Sequence, residues 1–276
     1  MVGCTPPIMK KNMKNRLFVL AAAVSAVCML LLPAEALAWG QKGHRIVAQI
    51  AYDHLSPVAR CRINKVLGAR EGAVYVANWA DELKSDTIYK ESGDWHYQDL
   101  NPGMTDEEVI ATLTNYPAEG GNLFRVKDSL IAELRKDRHS EANLRFIIHF
   151  MGDRFCPMHT AHLDDLGGNK VKMKWYGQNT NLHSVWDAKI IDSQGYSYTE
   201  YARYLENKYR KERRAIMQLT EEEIVVQNYH LCDSIYAYQE TWNGNAYHYV
   251  YHWKDSMERQ LYIAGIRLAM LLNELY

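Results

Sequence analysis

The chain has 276 residues, 24% of them charged, and a formal net charge of −1. That length supports a sizeable core, and the near-neutral balance excludes a protein that holds a polyanion through a broad basic face. Five cysteines, with Cys4 and Cys28 near the start, leave too few for a fold stapled mainly by disulfides.

Lys10, Lys11, Lys14 and Arg16 precede an apolar run from Leu17 to Leu32, and Ala36-Leu37-Ala38 has the small-x-small pattern of a cleavage site. The run is short of a ~20-residue membrane span, so a cleaved signal peptide over 1–38 is expected, with export and no stable membrane anchor. One domain over 39–276 remains, starting at Trp39 and carrying 28 Lys+Arg against 32 Asp+Glu, a balance of −4. Its three cysteines, Cys61, Cys156 and Cys232, allow at most one internal disulfide, of unspecified pairing. Cys156 reads as a small buried thiol in a packed turn rather than as a metal ligand.

Gly43-His44 leads into a helical face of Ile46, Val47, Ile50, Ala51 and Leu55. Ser56 caps a second helix with Pro57 at its first position, and Val58, Ile63, Val66 and Leu67 form its buried side. Asn78 to Lys84 carries Trp79 and Asp81, and a polar loop then reaches Trp95-His96-Tyr97-Gln98-Asp99. Thr105 to Glu108 has the form of a capping box and opens a third helix through Leu113. Leu123, Val126, Leu130, Ile131 and Leu134 give 122–138 the spacing of an amphipathic helix.

Ser140-Glu141 opens the central helix, whose apolar face is Leu144, Ile147, Ile148 and Met151. His149 and Asp153 lie one turn apart and can reach one ion, while Pro157 ends the helix near Phe155 and leaves His159 on the loop beyond. Asp164 to Asn169 is turn chemistry, and Val171, Met173 and Trp175 alternate with Lys170, Lys172 and Lys174, so a short hairpin is expected before Asn179. The lysines read as an exposed strand face. His183 and Asp187 repeat the one-turn spacing on another helical segment.

Helices then follow over 196–208, from the capping box Thr220–Glu223 through 224–240, and over 255–275. His248 and His252 are also one turn apart, but no carboxylate accompanies them, and they read as packing or surface residues. The fold expected is all-α, predominantly helical, with one short β-hairpin. Collected, the nitrogen and carboxylate donors suit zinc, and the absence of Glu-x-x-His argues against a di-iron bundle.

In this combination the chain resembles the S1/P1 family of secreted, single-strand-specific zinc nucleases, related to bacterial zinc phospholipase C. The matching residues are Trp39 with Gly43-His44, Trp79-Ala80-Asp81, His96-Tyr97, His149-x-x-x-Asp153, Pro157-x-His159, Gly167-Gly168-Asn169 and Asn181-Leu182-His183-Ser184-x-Trp186-Asp187. From Tyr196 onward the likeness is mainly helical character.

The resemblance implies three zinc ions. Asp81, His96, His149 and Asp153 would hold the first, His159, His183 and Asp187 the second, and the Trp39 amine and carbonyl with His44 and Asp153 the third. Asp153 would bridge two ions, and a water between them would attack phosphorus in line. The resemblance also implies catalytic parts for Asp81 and Lys84, the latter near the scissile phosphate, and a base site at Tyr97, Asp99 and Asn169. Such a site favours single-stranded nucleic acid or a nucleotide, because a paired and stacked base cannot enter it. Arg154-Phe155-Cys156 departs from the family's more polar stretch ending in Gln, and Tyr97 stands where Phe is common. The alternatives are a zinc phospholipase C, for which a glutamate is expected in place of Asp187, and a secreted protein holding structural zinc. Products with 5′-phosphates, 3′-nucleotidase activity and a monomeric state complete the expectation.

Overall fold

The computed structural model describes residues 39–83, 86 and 88–276, so the predicted signal peptide and Lys84 lie outside the described residues. Helix α1 (Gln41–Asp53) buries one face through Ile46, Val47 and Ile50. The Ser56 side chain accepts from the Ala59 amide at 3.1 Å and opens α2 (Pro57–Val66), as Ser-Pro at a helix start dictates. Val58, expected on its buried side, is 55% exposed, because the face that packs inward is that of Ala59 and Ile63. Two short helices, α3 (Gly72–Tyr75) and α4 (Trp79–Glu82), follow; both are too short to leave a periodic pattern in the sequence.

Thr105 and Glu108 form the capping box of α5 (Asp106–Asn115), and α6 (Leu123–Lys136) runs on to α7 (Glu141–Asp153). The central helix thus ends two residues earlier than Phe155. Strands β1 (Lys172–Trp175) and β2 (Gln178–Asn181) pair antiparallel, Lys172 opposite Asn181 and Trp175 opposite Gln178. Tyr176 and Gly177 both have positive φ (47° and 81°), the two-residue turn that matches strand twist, and β2 extends past Asn179. Met173 and Trp175 face inward while Lys172 and Lys174 are exposed.

His183 and Asp187 lie on a continuous helical run of α8 (Leu182–Ser184), a π-helical turn over Val185–Lys189, and α9 (Ile190–Asp192). The expected regular helix is therefore wound wider at the candidate ligand Asp187, as π-turns often are at functional sites. Beyond it come α10 (Tyr198–Tyr209), α11 (Arg213–Gln218), α12 (Glu221–Thr241) and α13 (Ala246–Leu275). The last helix begins nine residues before the predicted Asp255, because Asn245 caps it by accepting from the His248 amide at 3.2 Å.

The architecture is predominantly helical with one hairpin, as the residue pattern implied. Helix α13 is the central pillar, burying Trp253, Met257, Leu261, Leu268 and Leu272. It approaches α1 closely at Gly265, where an added Cβ would lie 2.6 Å from the Ile50 Cβ. That approach brings His44 on α1 alongside the end of α7. Among the described residues no helix is long and apolar enough to cross a membrane. The thiols of Cys61, Cys156 and Cys232 are all free.

Candidate metal centre

The end of α7 carries His149 and Asp153 into the interior, both fully buried. The apolar run around them places these polar groups where water cannot satisfy them, so each needs a partner from the protein or an ion. The His149 Nδ1–H donates to the Ala77 carbonyl at 2.7 Å, which leaves Nε2 as a lone pair. His159 donates Nδ1–H to the His96 carbonyl and His183 to that of Gly167, both at 2.6 Å, which turns each Nε2 toward Asp187. The buried Nε2 atoms of His159 and His183 have no hydrogen-bond partner.

Around α7 the nearest ligand atoms form a tight nest. His96 Nδ1 lies 3.0 Å from Asp153 Oδ2 and 3.1 Å from His149 Nε2, and these two are 3.4 Å apart. Asp81 Oδ1 lies 3.7 Å from His149 Nε2 and 3.8 Å from His96 Nδ1. Nitrogen and oxygen ligands held tetrahedrally by zinc lie about 3.3–3.5 Å from one another, so this set has the size such an ion requires.

The other oxygen of Asp153 faces a different partner, His44 Nε2, at 3.2 Å. The His44 ring stacks on His149 at 3.8 Å between centroids, and Gly152 makes room, since a Cβ there would lie 2.7 Å from His44 Nδ1. Asp153 thus offers one oxygen to each of two groups. Trp39 is fully buried, and its neighbour Gly40 donates its amide to the Asp187 carbonyl at 2.6 Å, so the residues predicted to start the mature chain run beside the candidate ligands.

A further group forms where the turn after α7 meets the π-helical segment. Asp187 Oδ2 is 2.9 Å from His183 Nε2, and Oδ1 is 3.5 Å from His159 Nε2. Cys156, passed over as a ligand on sequence, donates its thiol to Asp187 Oδ1 at 3.2 Å. Among the described residues three groups could hold a metal ion: His44, His149 and Asp153; Asp81, His96 and His149; and Cys156, His159 and Asp187. Cys156 precedes His159 by three residues, and that spacing is the sequence signal that marks it as a possible ligand.

The electrostatics differ between the His149 group and the His159 group. Burial lowers His149 to about 3, although Asp153 and Asp81 oppose the shift. Burial acts to raise Asp153 and Asp187, but neighbouring histidines overcome it, holding Asp153 well below the usual range and Asp187 at about 2. Burial would lower His159, yet Asp187 carries it to about 9. The buried Asp153 carboxylate, kept ionised beside the neutral His149, makes a place for a cation, and at Asp187 a metal ion would replace the proton that this carboxylate stabilises on His159. The residues therefore fit zinc.

A cavity of about 230 Å³ opens beside both groups, lined by His96, Tyr97, Asp99, His159, Asn169 and His183 among others. Asp99 is buried and its Oδ1 has no hydrogen-bond partner. Burial pushes its carboxyl up to about 8, with Asp165 adding and His159 opposing. Tyr97 donates its hydroxyl to Asp94 Oδ1 at 3.1 Å, and Asn169 donates to the Leu166 carbonyl at 2.9 Å. The residues predicted for a base site thus share one wall with the candidate ligands. His248 and His252 are exposed on α13, and His252 stacks on Tyr238, consistent with surface packing.

A helical scaffold that gathers histidines and aspartates beside an open cavity has the constitution of a metal-site enzyme. The family model described as S1/P1 Nuclease matches residues 39–276, and the chain belongs to that family of nucleases. It is 28% identical to Endonuclease 3 of Arabidopsis thaliana over 92% of this chain and 94% of that one. With Nuclease P1 of Penicillium citrinum it shares 34% identity over 59% of this chain and 63% of the relative. With Nuclease S1 of Aspergillus oryzae it shares 27% over 67% of this chain and 63% of the relative.

Proposed function

We propose that the protein is a zinc-dependent phosphodiesterase that hydrolyses single-stranded DNA or RNA to 5′-phosphate products, with 3′-nucleotidase activity at the same centre. Three ions are proposed. Asp81, His96, His149 and Asp153 would hold one, His159, His183 and Asp187 a second, and the Trp39 terminus with His44 and Asp153 a third. When bound, zinc supplies Lewis acidity and a water of lowered pKa. The protein's own residues do the positioning. Backbone carbonyls of Ala77, His96 and Gly167 fix three imidazoles with Nε2 inward. Asp153 presents an oxygen to each side, and Asp99 can both donate and accept hydrogen bonds while it holds its proton.

The observation that carries this reading is the shared wall: His96, His159 and His183 line the same cavity as Tyr97, Asp99 and Asn169. A base seated against the latter three brings its phosphate to the former. That cavity admits an unpaired base, and a base in a duplex would first have to leave its stack. Lys84, outside the described residues, is proposed to sit near the scissile phosphate. Export after cleavage before Trp39 and a single domain over 39–276 belong to the same proposal. Aspartate at position 187 favours the nuclease over a phospholipase C.

The test is release of nucleotides from denatured DNA by pure, zinc-loaded protein, with duplex DNA and a phosphatidylcholine substrate in parallel. Cleavage of denatured DNA in preference to duplex is expected. Hydrolysis of the lipid alone, or of neither, would overturn the reading.

A further inference from the structure

On the opposite side of α7 lies a second constellation that the nuclease reading does not use. Along a helix His149 and Asp153 share one face, whereas Met151 and Arg154 project from the other. These two help to line a separate cavity of about 560 Å³, together with Lys127 on α6, Glu221 at the start of α12, and Arg267 and Met270 on α13.

Its charges are unusual for their burial. Arg154 is 3% exposed and Lys127 7%, in a class of side chain that is almost never buried unless paired. Glu221 is the shared counter-charge: its Oε2 faces Arg154 Nη1 and lies 3.6 Å from Lys127 Nζ, and its Oε1 accepts from Arg267 at 2.7 Å. One carboxylate therefore serves three cations. Lys127 also meets Asp128 at 2.8 Å, and Arg135 meets Glu274 at 2.7 Å on the rim, which leaves four cations against three anions around the cavity.

Arg154 Nε and Nη2 are buried without a hydrogen-bond partner, although the guanidinium is built to offer donors in a planar fork. Buried donors of a charged group are costly to leave unmade, and two on one edge match two oxygens of an oxyanion. Lys127 is lowered by burial and then by the Arg154 charge, the expected consequence of cations crowded together. Ile131, Met270 and Leu271 supply an apolar wall next to this charged floor.

We propose that this cavity is a phosphate-recognising site, distinct from the metal centre, in which Arg154 with Lys127 and Arg267 holds a phosphate group. The group is either free phosphate or that of a nucleoside monophosphate, whose base would lie on the apolar wall. The proposal does not depend on the nuclease chemistry.

Equilibrium dialysis of inorganic phosphate and of AMP against zinc-loaded protein counts all sites, while competitive inhibition of DNA cleavage by phosphate reports the metal centre alone. Wild-type protein should hold one phosphate more than inhibition accounts for. Arg154→Gln should weaken that site at least tenfold with the inhibition constant unchanged. Arg135→Glu, on an exposed rim residue, should weaken it to a smaller extent and covers the case in which Arg154→Gln does not fold. Tighter AMP than phosphate binding at this site supports the nucleotide, and equal binding supports the free anion. A binding isotherm wholly explained by the inhibitory site, or one unaltered in both variants, overturns the proposal. Should the protein cleave no DNA, the dialysis comparison between wild type and variants still decides it.

Discussion

His149 and Asp153 on α7 and His248 and His252 on α13 are both pairs one helical turn apart, yet they meet opposite fates. The α7 pair is buried, with the His149 Nδ1–H committed to the Ala77 carbonyl and a carboxylate opposite Nε2. The α13 pair is exposed, beside Tyr238 and Trp253. Spacing alone lets two side chains reach one point. What suits the α7 pair to hold an ion is burial, which removes water as a competitor, together with a backbone acceptor that turns the lone pair inward.

Truncating each pair separates the two histidines most strongly. His149→Ala should reduce turnover on single-stranded DNA by more than about 100-fold, since even outer partners of ligating histidines cost 10–100-fold, whereas His248→Ala should leave turnover within error. Similar losses in the two variants, measured at equal zinc content in the medium, would show that burial does not separate them.

The Trp39 terminus comes next in size. An amide nitrogen in a precursor has no available lone pair, whereas a free α-amine has a pKa near ~7.7 and can bind a metal once deprotonated. Protein with an authentic Trp39 start should carry more zinc per molecule and turn over faster than protein with a short N-terminal extension. Equal zinc and equal rates would remove the terminus from the ligand set.

Chelation should abolish activity and lower the melting temperature together, because the ligands meet only in the folded chain. For one site filled at 100 times its Kd, the stability lost is about 2.7 kcal/mol. Calorimetry with and without chelator measures it, and an unchanged melting temperature would make the ions incidental to folding.

Within the cavity, Asp99→Ala should weaken oligonucleotide cleavage by about 1–3 kcal/mol with zinc content unchanged. Asp99→Asn, which keeps a donor and an acceptor, should lose less. Loss of zinc in either variant would move Asp99 from base binding to the metal site.

The smallest effect is expected on the far face of α7. Burial would raise Glu221, but Arg154, Lys127 and Arg267 hold it at about 2 against an ordinary 4.5. Its folded pKa is depressed, so its stabilisation is present above about pH 4.5 and is lost as pH falls toward 2. With 45% of its side chain exposed, solvent screening reduces the contribution to about 1–2 kcal/mol. Glu221→Gln should flatten the acid limb of the stability profile by that amount, and a limb identical to wild type would show the pairing to be worth nothing.

Helix caps and the hairpin were legible because their causes are local. Ser56-Pro57, Thr105–Glu108 and Thr220–Glu223 each satisfy backbone amides within four residues, and the alternation of lysines with Val171, Met173 and Trp175 states which strand face is buried. The short α3 and α4 contain too few residues for a period, and the early start of α13 was hidden by a Tyr- and His-rich stretch that resembles surface.

A helical chain with one hairpin, and the histidines and aspartates that meet in it, could be read from the residues, because helical spacing and donor chemistry are local properties. Helix packing set which of them share an oxygen of Asp153, that Cys156 reaches Asp187, and that Arg154, beside a separate cavity, has two buried donors without partners. Those contacts join residues far apart in the chain across α1, α6, α7, α12, α13 and the π-helical turn. Their geometry follows from how the helices pack, and no local pattern encodes a distance between two helices.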